Sequence, residues 1–275
     1  MKIKLAKNIG FCNGVEKSID KATELLKENS HLYALGQLVH NKEVIKQLKC
    51  KGLVEIEELP NHPCKVIIRA HGVSKEIYML AKEKNIELID LTCPKVLAIH
   101  KLAQKLAADN YYIILTGKKT HPEIIGTISY CGQNSIIIEK EEDLKNLKPT
   151  TDKLALLSQT TYNLEKFDNI KKRLQNAYPN IEIYNTICYA TKTRQEEIQK
   201  LASQTDAVLV IGDKKSSNTN KLFELSKKNN HNTFFIEQIE DLNLEELNKF
   251  VEIAITTGAS TPKEKALDIV KVLKR

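Results

Sequence analysis

Residues 65–108 read KVIIRAHGVSKEIYMLAKEKNIELIDLTCPKVLAIHKLAQKLAA. The run Lys65–Arg69 is short, apolar and β-branched, which predicts a strand. A helical period follows over Lys75–Lys84. A second strand candidate, Glu87–Leu91, leads into a second helical stretch, Lys95–Ala108. Parallel strands need a long crossover between them, and a helix of this length supplies it. Small and polar residues collect where each strand ends: Arg69-Ala70-His71-Gly72-Val73, then Thr92-Cys93-Pro94.

The same alternation runs outward in both directions. Further strands are expected at Ile3–Leu5, Leu32–Leu35, Tyr111–Leu115, Ser135–Ile138, Leu154–Leu157, Glu182–Tyr184, Ala207–Ile211, Thr233–Ile236 and Glu252–Ile255. Helices are expected at Val15–Lys27, Lys42–Lys49, Pro122–Tyr130, Leu164–Ala177, Thr191–Ala202, Asn218–Lys227 and Pro262–Leu273. The class is α/β with mostly parallel, helix-covered sheets. Pattern alone allows one wide sheet, a barrel or several small sheets. Residues 139–152 are charged and carry Pro149, and read as a surface helix and turn.

Glycine is scarce, at 10 of 275 residues, about half the usual ~7%. Seven of the ten (10, 14, 36, 72, 117, 212, 258) fall in the segments that follow strands. Ligands of open α/β sheets bind beyond the carboxyl ends of the strands, so these segments are the candidate site.

The formal net charge is +7, yet only Arg69, Arg173, Arg194 and Arg275 are arginine. Lysines interleaved with acids read as solvated helix faces, and scarce Arg disfavours a nucleic-acid reader. No apolar run reaches the ~18 residues of a membrane span. The start, MKIKLAKNIG, lacks a signal-peptide core, so a cytoplasmic chain is expected. In that compartment the six cysteines are expected to be reduced.

None of those cysteines forms a C-x-x-C pair. Cys12, Cys93 and Cys188 lie in strand-end segments, 81 and 95 residues apart. One cysteine per junction suggests three analogous lobes: 13–93, 94–188, and 189–275 with 1–12. Three converging thiolates could hold zinc or an iron–sulfur cluster. A 4Fe–4S cluster normally takes four thiolates, so three would leave one iron open. Cys50, Cys64 and Cys131 lie outside these segments and read as structural.

The other loop residues suggest an anionic ligand. Ser216, Ser217 and Asn218 open one helix and Ser260 precedes another, and helix N-termini attract phosphate. His40, His71 and His121 occupy strand-end loops, as zinc ligands or phosphate donors. Neither G-x-x-x-x-G-K-[ST] nor G-x-G-x-x-G occurs, which argues against the common nucleotide sites. Glu123, in a first helical turn, is a candidate proton donor, and Thr160 a candidate relay.

The motifs GFCNGV, LGQLVHN, RAHGV, DLTCP, THPE, SQTT, NTICYAT, SSNT and GASTP occur in that order between residues 10 and 262. Together they resemble the 4-hydroxy-3-methylbut-2-enyl diphosphate reductase family, which closes the non-mevalonate isoprenoid pathway. The resemblance implies three small α/β lobes around a central 4Fe–4S cluster held by Cys12, Cys93 and Cys188, its fourth iron open to substrate. It implies reductive dehydroxylation of the (E)-4-hydroxy diphosphate, with two electrons and two protons, to isopentenyl and dimethylallyl diphosphate. Glu123, Thr160 and His121 would be catalytic. His40, His71, His121, Thr160, Ser216, Ser217, Asn218 and Ser260 would bind substrate. Ferredoxin or flavodoxin would donate electrons to a monomer, with no nucleic-acid or membrane partner. A zinc-dependent hydrolase of a small phosphorylated substrate is the competing class.

Overall fold

Among the described residues, twelve strands form three four-stranded sheets in which every pairing is parallel. The computed structural model describes residues 1–274. In chain order the elements begin β1 (Lys2–Leu5), α1 (Asn13–Glu28), β2 (Leu32–Leu35), α2 (Lys42–Cys50), β3 (Leu53–Ile56), β4 (Lys65–Ile68), α3 (Lys75–Glu83) and β5 (Glu87–Asp90). Then come α4 (Pro94–Ala108), β6 (Tyr112–Thr116), α5 (Pro122–Ile128), β7 (Ser135–Ile138), β8 (Leu154–Ser158), α6 (Leu164–Ala177) and β9 (Glu182–Ile183). The chain ends with α7 (Tyr189–Ala202), β10 (Ala207–Ile211), α8 (Ser217–Asn229), β11 (Thr233–Ile236), α9 (Leu244–Leu247), β12 (Glu252–Thr257) and α10 (Lys263–Leu273).

The sheet orders are β3-β2-β4-β5, β7-β6-β8-β9 and β11-β10-β12-β1. Each is the same order, second-first-third-fourth. In the last sheet the fourth strand comes from the beginning of the chain. Residues 17–39 and 44–187 form one compact unit holding the first two sheets, and residues 1–16, 40–43 and 188 onward form another holding the third.

Alternation along the central strands explains the layers. In the second sheet Ile114 and Leu156 pack with Phe167, Ile170 and Leu174 of α6. Their neighbours Ile113, Leu115, Ala155 and Leu157 face Ile99, Ala103 and Leu106 of α4 and Ile124 of α5. The third sheet repeats the scheme: Leu209, Ile211, Ile253 and Ile255 meet Ile269 of α10, while Val208, Val210 and Ala254 meet Ile198, Leu222 and Leu225. Both faces are covered, so the central strands are apolar throughout.

The structure adds what the sequence pattern misses. β3 is an edge strand of four residues, with Val54 exposed and Glu55 paired to Lys49 at 2.6 Å. Its apolar residues Leu53, Val54 and Ile56 include one that faces solvent, and Glu55 breaks the run, so neither alternation nor an unbroken apolar stretch marks it. Gly14 lies within α1 rather than in the preceding loop. Residues 139–152 contain a short 3₁₀ helix, Glu141–Asn146. No described helix is long and apolar enough to cross a membrane.

Phe167 is almost fully buried against the second sheet. Phe167→Ala is expected to lower the unfolding free energy by about 3–5 kcal/mol, read as a lower urea midpoint at unchanged slope. A midpoint within error of wild type would contradict this packing.

Candidate active site

The second-first-third-fourth order has a mechanical consequence. In each sheet the first and third strands are central neighbours whose connections leave in opposite directions. That is the switch point where α/β sheets open a ligand crevice. The six loops beginning at these strand ends carry the non-cysteine candidates: His40 after β2, His71 after β4, His121 and Glu123 after β6, Thr160 after β8, Ser216 to Asn218 after β10, and Ser260 after β12. The three candidate cysteines follow the fourth strand of each sheet: Cys93 after β5, Cys188 after β9, Cys12 after β1.

Each of these cysteines sits at the start of a helix. The Cys12 carbonyl accepts from Glu16 N at 3.0 Å, that of Cys93 from Val96 N and Leu97 N, and that of Cys188 from Thr191 N and Lys192 N. All three residues are half-buried. Cys12 N donates to Ala259 O and Cys93 N to Ala70 O, both at 3.0 Å, which ties each cysteine to the loop after the third strand of its sheet. Cys50 is exposed, Cys64 is half-buried and Cys131 is buried. Burial pushes the Cys131 thiol up to about 12, which suits a structural role.

Glu123 is buried beside Thr160. The Thr160 amide donates to Glu123 Oε1 at 2.6 Å, and its hydroxyl donates to Oε2 at 2.6 Å. Burial raises the carboxyl from 4.5 to about 7, against the opposing pull of the two Thr160 hydrogen bonds. Such a group is shared between its protonated and ionised forms at neutral pH and can deliver a proton there. His121 caps α5, accepting from Glu123 N at Nδ1 over 3.2 Å. A neutral ring then has its proton on Nε2, as a donor. The His71 and His121 rings meet edge to face, 5.3 Å apart.

The loops of the third sheet form a second polar group. Ser216 caps α8, its Oγ accepting from Thr219 N at 3.3 Å. Because that oxygen accepts, its own proton is available to a ligand. Ser260 Oγ lies 3.4 Å from Ser216 Oγ and donates to the His40 carbonyl at 3.0 Å. Asn218 is buried at 4% exposure, and neither its amide nitrogen nor its oxygen finds a hydrogen-bond partner among the described residues. A buried primary amide with nothing to bond marks a place for a polar ligand. Gly258 keeps the loop close: a Cβ there would lie 2.0 Å from Thr219 Oγ1.

A family model described as LytB protein matches residues 3–274. The chain belongs to the LytB protein family. The 4-hydroxy-3-methylbut-2-enyl diphosphate reductase of Clostridioides difficile strain 630 is 41% identical over 95% of each chain. The solved E-1-hydroxy-2-methyl-but-2-enyl-4-diphosphate reductase of Plasmodium falciparum aligns with TM-score 0.95 at 34% identity, covering all of this chain and 88% of that one. A second structure, described as (E)-4-hydroxy-3-methyl-but-2-enyl diphosphate reductase, the terminal enzyme of the non-mevalonate pathway, aligns at 0.71 and 34% identity, covering 100% and 99%. The three-lobed α/β fold expected from the sequence is thus the fold of this LytB chain.

Three supporting residues escape sequence reasoning. Gln159 accepts from Lys118 N at 3.1 Å and donates to Thr161 Oγ1 at 2.7 Å, fixing the loop beside Thr160. Asn41 donates to the Ser260 carbonyl at 2.8 Å. Thr257 Oγ1 accepts from Gly10 N at 2.8 Å, two residues before Cys12. Gln159 and Asn41 stood inside quoted motifs, but nothing in sequence separates a ligand group from one that braces a loop.

The Glu123 carboxyl is raised in the folded chain, so it favours folding fully below its unfolded value and loses that contribution between pH 4.5 and about 7. Glu123→Gln removes the ionisation. The variant is expected to match wild-type stability near pH 4 and exceed it above pH 7 by a few kcal/mol, at about 1.4 per pH unit. Parallel stability curves across pH 4–8 would contradict the raised carboxyl.

Proposed function

We propose that this chain is a reductive dehydroxylase of (E)-4-hydroxy-3-methylbut-2-enyl diphosphate, yielding isopentenyl and dimethylallyl diphosphate. In the balanced step the allylic C–O bond breaks, two electrons and one proton complete the hydrocarbon, and a second proton leaves with the hydroxyl as water. The observation that carries the reading is the recurrence of one half-buried cysteine at the same point of three equivalent sheets, each at a helix start. Three soft thiolates suit an iron–sulfur cluster with one iron open to substrate, so Cys12, Cys93 and Cys188 are its proposed ligands. When bound, that cluster supplies the electrons and a Lewis-acidic iron. The lobes are divided as 13–93, 94–188, and 189–275 with 1–12.

The proton path follows from the Glu123–Thr160 pair. With the carboxyl protonated, Thr160 N–H still donates to Oε1, while the proton on Oε2 turns toward Thr160 Oγ1. The threonine proton is thereby freed for the substrate oxygen. Glu123 is the acid, Thr160 positions the hydroxyl and relays the proton, and His121 fixes the turn that holds the acid. The diphosphate is assigned to neutral donors: His40, His71, His121, Thr160, Ser216, Ser217, Asn218 and Ser260. The unsatisfied Asn218 amide and the available Ser216 proton support the α8 end of that set. Many neutral hydrogen bonds can hold a buried diphosphate without an arginine cluster. External electrons come from a ferredoxin- or flavodoxin-type donor, and the chain acts as a cytoplasmic monomer. The relatives are named reductases, which leaves the zinc-hydrolase reading unsupported.

Cys93→Ser is expected to lose bound iron and turnover together, whereas Cys50→Ser keeps both; equal behaviour of the two would sink the ligand assignment. Glu123→Gln should retain iron and substrate binding while kcat falls at least ~100-fold, the usual worth of a general acid. Unimpaired turnover would remove Glu123 from the acid role.

A further inference from the structure

Arg194 lies in the second turn of α7, and its side chain is buried at 5% exposure. Its Nη1 donates to Ala190 O at 3.1 Å, within its own helix. Its Nη2 donates to Gly10 O at 2.9 Å, the carbonyl two residues before Cys12. Its Nε–H finds no partner among the described residues. No described carboxylate pairs with it. Glu197, three residues along the same helix, is engaged elsewhere, accepting from Lys7 N, Asn8 N and the Asn8 amide at 2.6–3.1 Å.

A buried cation without a carboxylate is costly, and one with an unused N–H is costlier still. The charges of Cys12 and Cys188, together with that of Glu197, offset it in part. Burial pulls the guanidinium down, and the charges of Cys12, Cys188 and Glu197 push it back up. Both cysteines connect to Arg194 through the backbone as well. Cys188 caps the helix that carries it, and Cys12 sits on the loop that its Nη2 holds.

We infer that Arg194 is a positioning residue which clamps the Cys12 loop onto the Cys188 helix and sets a fixed positive charge, with one spare N–H, beside the anionic cluster these thiolates bind. The inference rests on the cluster reading above. It goes beyond it by assigning to one buried arginine both the geometry of two ligands and part of the cluster's reduction potential. A fixed cation stabilises the reduced, more negative cluster, so its removal makes reduction harder.

The test uses anaerobic, cluster-loaded chain. Arg194→Met is expected to lower the reduced-to-oxidised ratio at fixed potential about tenfold, the worth of one charged hydrogen bond, in a titration followed by electron paramagnetic resonance. Iron release to a chelator should quicken by a similar factor. Arg194→Lys keeps the charge without the fork. It should restore most of the potential but not the slow iron release, a split that a purely packing role would not give. In cluster-free protein, hydrogen exchange at residues 10–12 should rise in both variants and stay unchanged in β10. Wild-type potential and iron release in Arg194→Met would overturn the inference. If that variant does not fold, wild-type iron release in Arg194→Lys overturns it instead. Wild-type chain that binds no iron overturns the cluster reading itself, which separates the two failures.

Discussion

The geometry of a four-stranded parallel sheet with second-first-third-fourth order governs this protein. Such a sheet has one switch point, between its first and third strands. It also has a fourth strand whose exit leads directly into a helix. Used three times, the arrangement yields six switch-point loops and three helix starts. The former carry hydroxyl, imidazole, amide and carboxyl groups, and the latter carry Cys12, Cys93 and Cys188. The strands are buried on both faces, so their carboxyl ends are where polar groups can be presented without disturbing the core.

Several polar groups at those ends are held by neighbours of matching chemistry. Thr160 gives two hydrogen bonds to Glu123, yet burial still outweighs them and holds the carboxyl near neutrality. Ser260 and Asn41 bind residues 40–43 to the loop after β12. Asn218 is left with both amide atoms unsatisfied among the described residues, an arrangement that is costly in a resting protein and favourable with a hydrogen-bonding ligand. Arg194 is buried and donates to the Ala190 and Gly10 carbonyls.

Much of this was legible in the sequence. The central strands read as unbroken apolar runs because helices cover both faces, and Ala207–Ile211, Thr233–Ile236 and Leu164–Ala177 match their expected spans. β3 was not legible, because an edge strand with one face wet and an acid paired to Lys49 carries no period. Helix starts were also misjudged by a residue or two. Pro262 is expected to open a helix, yet its ψ of 144° keeps it extended and α10 begins at Lys263. The candidate loops stood out because small and polar residues interrupt apolar ones. The bonds among their side chains did not, since Gly10 and Arg194 are 184 residues apart and only the fold brings them together.

The central claim is that the three equivalent cysteines serve one redox centre acting on an allylic diphosphate. The most direct measurement is single-turnover chemistry by anaerobically prepared, pre-reduced chain given (E)-4-hydroxy-3-methylbut-2-enyl diphosphate, with products resolved by mass spectrometry. The account predicts a brown protein absorbing near ~400 nm, whose colour shifts as isopentenyl and dimethylallyl diphosphate appear, with about four iron per chain. A colourless protein with stoichiometric zinc that releases phosphate and forms neither product would contradict it.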